Sequence, residues 1–320
     1  MAKRILLVIG TLVLAGGLGV PAYGWDNFGH MAVAYVAYQK LTSPAKARVK
    51  VLLSQNPKYS EWKGWVPAGT SQADMDLMVF MLAAQWADEI KGDSTYSDDG
   101  SNRGDTPDGA TSSQNTGYTD LLRHKYFHFV DTPFTTDGSA LPAIPTPNAQ
   151  ERIALFRGVL ASTSDDMLKS YDLTWLLHLV GDVHQPLHSA TRVSSTDPGG
   201  DNGGNKVKLN CTGCAKELHA FWDDLLGTGA TAQAVIKSVI KAAKKLPAAD
   251  AGLAAKSDEK DWIAESFQAA QQTVYQPPVA AGDGPFSLTS AYKSKAKTLA
   301  KQRIALAGGR LANLINTELK

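Results

Sequence analysis

The chain has 320 residues, 43% hydrophobic and 20% charged. That is enough to bury a large core and excludes both a disordered polypeptide and a disulfide-stapled miniprotein. Its 32 basic and 31 acidic residues nearly cancel, so a nucleic acid partner must be held by something other than bulk positive charge.

In chain order, the first 24 residues carry Lys3-Arg4, an apolar run over 5–18, then Ala22-Tyr23-Gly24. This is the order of a secretory signal, a basic region followed by an apolar one and a small-x-small cleavage site. Gly10, Gly16 and Gly17 interrupt the apolar run, which is shorter than the ~20 residues of a membrane-spanning helix. Cleavage after Gly24 leaves 30 basic against 31 acidic residues. It also makes Trp25 the first residue, with a free amine whose pKa near ~8 lets a metal displace its proton. The expected mature protein is residues 25–320, a secreted or periplasmic monomer with no membrane segment.

Apolar residues at three- and four-residue steps predict helices over 30–41 and 45–53, with Ser43 as N-cap and Pro44 at the first helical position. The same pattern predicts helices over 74–90, 150–160, 171–183, 217–226, 232–245, 261–275 and 290–319. Only 125–130 and 206–210 read as extended, being short, apolar or β-branched and flanked by turn residues. Segments 92–117 and 189–204 are rich in Asp, Ser, Gly, Asn and Thr and read as long surface loops. The first lacks the ordered ligand pattern of an EF-hand. The expected fold is mainly α, a single compact multi-helix domain with a few short strands. Cys211 and Cys214 are the only cysteines. In an exported protein with no second cysteine or histidine pair at zinc-ribbon spacing, they predict a small disulfide at a turn.

Chemistry concentrates in the seven histidines, at 30, 124, 128, 178, 184, 188 and 219. His178 and Asp182 are four apart, so on a helix they share a face and can reach one metal ion. Pro186 then stops the helix, and the chain turns near Gln185 so that His188 can return beside that face. His219 and Asp223 repeat the four-residue spacing. A lone His or Asp on a helix is ordinarily a surface or hydrogen-bonded structural residue, but two such pairs and a trailing histidine point to metal, because a buried carboxylate without a partner is costly. Imidazole with carboxylate and no thiolate suits catalytic Zn²⁺, with Mn²⁺ and Fe²⁺ also compatible.

At this point a family resemblance can be read from particular segments. They are Trp25-Asp26-Asn27-Phe28-Gly29-His30, Trp86-Ala87-Asp88-Glu89, His128-Phe129-Val130-Asp131, the stretch His178-Leu179-Val180-Gly181-Asp182-Val183-His184-Gln185-Pro186-Leu187-His188, Gly203-Gly204-Asn205-Lys206, Leu218-His219-Ala220-Phe221-Trp222-Asp223 and Gly309-Arg310-Leu311-Ala312-Asn313. Together they resemble the trinuclear zinc single-strand nucleases that are also 3′-nucleotidases, the fungal S-one/P-one type enzymes and the plant bifunctional nucleases. The resemblance runs the length of the expected mature chain and implies the helical fold that family shares with zinc phospholipase C.

It also implies three zinc ions. Asp88, His128, His178 and Asp182 would hold the first. The amine and carbonyl of Trp25 with His30 and Asp182 would hold its neighbour, Asp182 bridging the two. His188, His219 and Asp223 would hold the third. Asp88, Asp182 and Asn205 are then the expected catalytic residues, Asn205 orienting phosphate or the attacking water. Phe129 would stack on an unpaired base, although an aromatic in a short strand is as readily a core residue, and Asp131 would accept from the base edge. Expected substrates are single-stranded DNA and RNA, cut to 5′-phosphate products, and 3′-nucleotides. His184 is expected as a hydrogen-bond partner behind the ligands and His124 at the surface.

Three departures from the fungal pattern leave substrate preference open: the sixteen residues between His188 and Asn205, the different cysteines, and the larger 92–117 segment. A trinuclear zinc phospholipase C and a secreted zinc-sequestering protein without catalysis are the alternatives.

Overall fold

The structure, a computed structural model, describes residues 25–100, 115, 117–228, 232–280 and 282–319. The expected leader, and residues 101–114 and 116 of the 92–117 loop, lie outside the described residues. Twelve α-helices occur among those described: α1 (Asn27–Lys40), α2 (Ser43–Leu53), α3 (Tyr59–Trp65), α4 (Gln72–Ala83), α5 (Trp86–Gly92), α6 (Ala149–Ala161), α7 (Asp166–Asp182), α8 (Leu218–Asp223), α9 (Ala232–Ala243), α10 (Ala251–Ala254), α11 (Glu259–Ala269) and α12 (Ser290–Glu318). The mainly α expectation therefore holds. The named strands, β1 (Pro133–Thr135) and β2 (Thr191–Val193), pair in parallel with Phe134 opposite Arg192.

Helix α7 is the axis of the molecule. Every residue from Lys169 to Asp182 is buried, and α1, α2, α5, α6 and α12 all pack against it. A helix surrounded on all sides needs apolar residues around its whole circumference, which Leu173, Trp175, Leu176, Leu177, Leu179 and Val180 provide. His178 and Asp182 are carried into the interior by that apolar spiral. Helix α1 packs most extensively against α12, and Gly308 makes the approach close: a Cβ there would lie 2.5 Å from the Val36 Cβ.

The apolar interior forms two clusters. The larger surrounds α1, α4 and α7 and includes Trp25, Trp62, Trp86 and Trp175. The smaller gathers Phe134, Leu187, Val207, Leu218, Trp222, Tyr275 and Tyr292. His178 and Asp182 ride on the first, while His188 and His219 each follow directly on a residue of the second, Leu187 and Leu218. The histidine cluster thus occupies the seam between the two cores.

Several expected elements take a different form. The helix expected over 74–90 breaks at Ala84 and Gln85. The stretch 125–130 is not a strand: His124 adopts a left-handed φ of 45°, the chain turns, and Lys125–His128 forms a 3-10 turn. Residues 206–210 make only isolated bridges, Lys208 to Glu217 and Leu209 to Phe286. The helix over 261–275 ends as a π-helical turn at Ala270–Val274, and 217–226 is helical only to Asp223. Helix α2 is capped by Thr42, with Ser43 already helical. Residues 189–204 do not form a surface loop throughout, since Ser189 to Val193 and Asp201 are buried. Cys211 and Cys214 form the expected disulfide. Among the described residues, no helix is long and apolar enough to cross a membrane.

Candidate metal centre

Four elements converge on one buried point. Helix α1, capped by the Asp26 carboxylate accepting from the Asn27 amide at 2.7 Å, brings His30. Helix α5 brings Asp88, the Lys125–His128 turn brings His128, and α7 brings His178 and Asp182. Asp182 divides its two oxygens: Oδ1 lies 3.3 Å from His30 Nε2, while Oδ2 lies 3.0 Å from His128 Nδ1 and 3.1 Å from His178 Nε2. His178 Nε2 is also 3.5 Å from Asp88 Oδ1. The His30 and His178 rings stack with centroids 3.7 Å apart.

A second group adjoins the first. After α7 the chain turns at Gln185, and Pro186 opens the 3-10 turn Pro186–Ser189, because proline supplies a fixed φ and no N–H to continue the helix. His188 is thereby returned toward the cluster, 3.7 Å from Asp182 Oδ1. Helix α8 adds His219, whose Nε2 lies 3.0 Å from His188 Nε2, and Asp223, 3.6 Å from His219 Nε2.

Three of these histidines are aimed by the bond at the other ring nitrogen, which fixes ring orientation. His178 Nδ1 donates to the Ala84 carbonyl at 2.8 Å, His188 Nδ1 to the His128 carbonyl at 2.7 Å, and His219 Nδ1 to the Gly203 carbonyl at 2.6 Å. The break between α4 and α5 therefore has a use, since it presents the Ala84 carbonyl to His178.

The donor set is incomplete by itself. His30 Nδ1 and Nε2, His128 Nε2, Asp88 Oδ2 and Asp182 Oδ1 are buried and make no hydrogen bond. Buried polar atoms are ordinarily bonded, so these point to groups that a cation would satisfy. The electrostatics agree. Burial and the His178 charge push His30 down to about 4. Burial and the Lys91 charge push His128 down to about 3. Burial would depress His178 too, but the Asp182 and Asp88 carboxylates reverse it and raise the ring to about 10. His219 is held down to about 3 by burial and the charge on His188. His30, His128 and His219 are thereby held as neutral imidazoles, the form that ligates metal, whereas His178 keeps a proton between the two carboxylates that a bound cation would displace. Three groups could each hold an ion, namely His30 with Asp88 and His178, His128 with His178 and Asp182, and His188 with His219 and Asp223, the candidate ligand atoms within each lying within 4.8 Å of one another.

Trp25 is fully buried, and its indole Nε1 donates to the Gly181 carbonyl, one residue before Asp182, at 3.0 Å. Above the cluster a cleft is lined by Lys91, Lys125, Phe129, Asp131, Asn202 and Asn205, together with His128, His188 and His219. Phe129 and Asp131 are half-buried at that wall. Burial and the nearby Asp201 carboxylate push Asp131 up to about 7. The Asn205 side-chain nitrogen donates to the Asn202 carbonyl at 2.7 Å.

Two histidines sit elsewhere than expected. His124 is buried, not at the surface, and is held by Asp99 at 2.6 Å and Asp120 at 2.8 Å. The His184 ring bonds none of the cluster histidines or carboxylates; it meets the Val180 carbonyl at 2.7 Å and the Arg310 guanidinium at 3.0 Å. Sequence reasoning missed Lys91, 2.7 Å from Asp88 Oδ1, although the Asp88-x-x-Lys91 spacing on a helix was a usable sign. It also missed Gln185, whose Oε1 accepts from the Leu187 amide at 2.5 Å while its Nε2 donates to Asp223 at 2.8 Å.

Fold and site together define a helical protein with a buried centre able to hold metal ions at the floor of a cleft. A family model described as S1/P1 Nuclease matches residues 25–320, and the chain belongs to that family. Nuclease S1 of Aspergillus oryzae is 24% identical over 230 residues, covering 68% of this chain and 59% of its own length. Over shorter stretches, Endonuclease 3 of Arabidopsis thaliana is 38% identical, covering 21% of this chain and 22% of its own, and Endonuclease 4 of the same plant is 34% identical, covering 21% of each. The chain thus spans less than two thirds of the length of these relatives.

Proposed function

We propose that the protein is a zinc-dependent phosphoesterase that cuts single-stranded DNA and RNA to 5′-phosphate products and releases phosphate from 3′-nucleotides. The observation that carries this reading is the convergence of His30, Asp88, His128, His178, Asp182, His188, His219 and Asp223, with unbonded buried donor atoms, beneath a cleft. Family membership supports it.

Asp88, His128 and His178 would hold one zinc ion, and His30 with the amine and carbonyl of Trp25 a second. Asp182, with one oxygen toward each group, would serve both, while His188, His219 and Asp223 would hold a third. Bound there, zinc supplies Lewis acidity, activating water and neutralising charge on the departing oxygen. The chain's own groups do the rest. Lys91, paired with Asp88 at 2.7 Å, adds positive charge beneath the cleft beside the ligands. Asn205 has a second amide hydrogen to orient phosphate. Phe129 offers a stacking face and Asp131 a polar edge for a base, which requires the base to be out of a duplex.

The finer points of processing belong to the same reading. Residues 1–24 are a leader removed on export, Cys211–Cys214 marks an oxidising compartment, and the mature chain acts as a monomer. The decisive experiment takes the exported protein, counts its metal ions, and assays acid-soluble release from denatured and native DNA beside choline phosphate release from lecithin. Expected are three zinc ions, preference for denatured DNA, and loss in chelator with recovery on zinc addition. Cleavage of lipid alone would make the protein a phospholipase, and full metal content without turnover a sequestering protein.

A further inference from the structure

Lys125 is a second basic side chain in the cleft, and nothing in the metal centre accounts for it. It lines the same wall as Phe129, Asp131 and Asn205. It stands one 3-10 turn before His128, an axial distance of about 6 Å at ~2.0 Å per residue. Its side chain is mostly buried, and its ammonium pairs at 2.6 Å with Asp98, whose side chain is half exposed. Asp98 belongs to the segment that leads up to residue 101. Lys91, by contrast, is turned inward onto Asp88.

We infer that Lys125 is a polynucleotide subsite, contacting a phosphate next to the scissile one along a single strand, with Asp98 holding the ammonium in place and competing with that phosphate. The inference rests on the nuclease reading above. Displacement from the cluster by one turn removes Lys125 from the phosphate at the ligands and sets it over a neighbour in the strand. In a chain with almost no net charge, one local cation on the strand path matters more than it would on a basic protein. A 3′-mononucleotide has only the scissile phosphate and cannot use this contact.

The test compares zinc-loaded wild type, Lys125→Gln and Asp98→Asn on two substrates, a single-stranded oligonucleotide and a 3′-nucleotide. Salt-dependent binding of a non-cleavable phosphorothioate strand, followed by fluorescence anisotropy, provides a readout independent of turnover. Lys125→Gln is expected to raise the oligonucleotide KM about tenfold and reduce the slope of log K against log salt by about 0.7, the value for one phosphate on a single strand. Hydrolysis of the 3′-nucleotide should not change. Asp98→Asn should move binding the other way, tightening the strand. Equal losses on both substrates, an unchanged salt slope, or a loss of strand binding in Asp98→Asn would overturn the subsite. Wild type inactive on both substrates would instead overturn the nuclease reading itself.

Discussion

Asp182 is the residue on which the centre depends most, since its two oxygens face different imidazoles, at 3.3 Å on one side and 3.0 and 3.1 Å on the other. Asp182→Asn keeps the shape but removes the charge shared by two groups of ligands. Metal analysis should show two ions fewer than wild type, with activity down by more than ~100-fold; near-normal turnover would contradict the shared role. Gly203 is a subtler case. Its φ is +56°, a Cβ would lie 2.4 Å from the Leu187 carbonyl, and its own carbonyl aims His219. Gly203→Ala should cost about 1–2 kcal/mol from the left-handed backbone alone, with more from the contact, and lower occupancy at His188, His219 and Asp223. An unchanged melting temperature and metal content would refute that. At this scale His178, Asp182, His219 and Asp223 were legible because paired spacings on helices leave a mark in the sequence, whereas His30, Asp88 and His128 were suggested only by the family resemblance. Gln185 was not legible, because a side chain that ties a turn to a distant aspartate has no local signature.

At the scale of elements, the helices were legible and the breaks between them were not. Nothing in Ala83-Ala84-Gln85-Trp86 signals a stop; the interruption follows from tertiary packing that buries Trp86 while offering the Ala84 carbonyl to His178. Likewise the aromatic run Tyr126-Phe127 imitates a strand, and only the burial of His124 between two aspartates turns it into a 3-10 element. That burial predicts a pH dependence. Burial lowers the His124 pKa, but the hydrogen bonds its ring donates to the Asp120 and Asp99 carboxylates outweigh it, so the ring sits above its ordinary value of 6.5. Its contribution to stability is therefore complete below the unfolded value and lost as pH climbs through the raised folded one. Asp99→Asn should destabilise by about 1.5–3 kcal/mol near pH 5.5 and progressively less toward pH 9, as read by denaturant melts. A pH-independent loss would assign Asp99 to packing.

For the whole molecule, both ends of the described chain reach the neighbourhood of the centre. Trp25 is buried against Gly181. From the other end, Arg310 on α12 meets His184, two residues beyond Asp182, and is clamped by Glu265 at 2.8 and 2.9 Å. A residue left in front of Trp25 converts its amine to an amide, a poor ligand at neutral pH. Such a protein should carry one zinc fewer than the processed form and lose most activity, which metal counting beside mass spectrometry of the N-terminus checks. Equal zinc in both forms would remove Trp25 from the ligand set. The small-x-small site made this idea legible, whereas the closing of the chain upon itself depends on long-range packing that no sequence window contains.

The close fit of α12 onto α1 across Gly308 has a consequence for the order of assembly. The helix bearing His30 leans on a helix far along the chain, so that imidazole is seated only once the two distant segments have met. An early stretch of the polypeptide, folded by itself, lacks the support that holds this side chain in place.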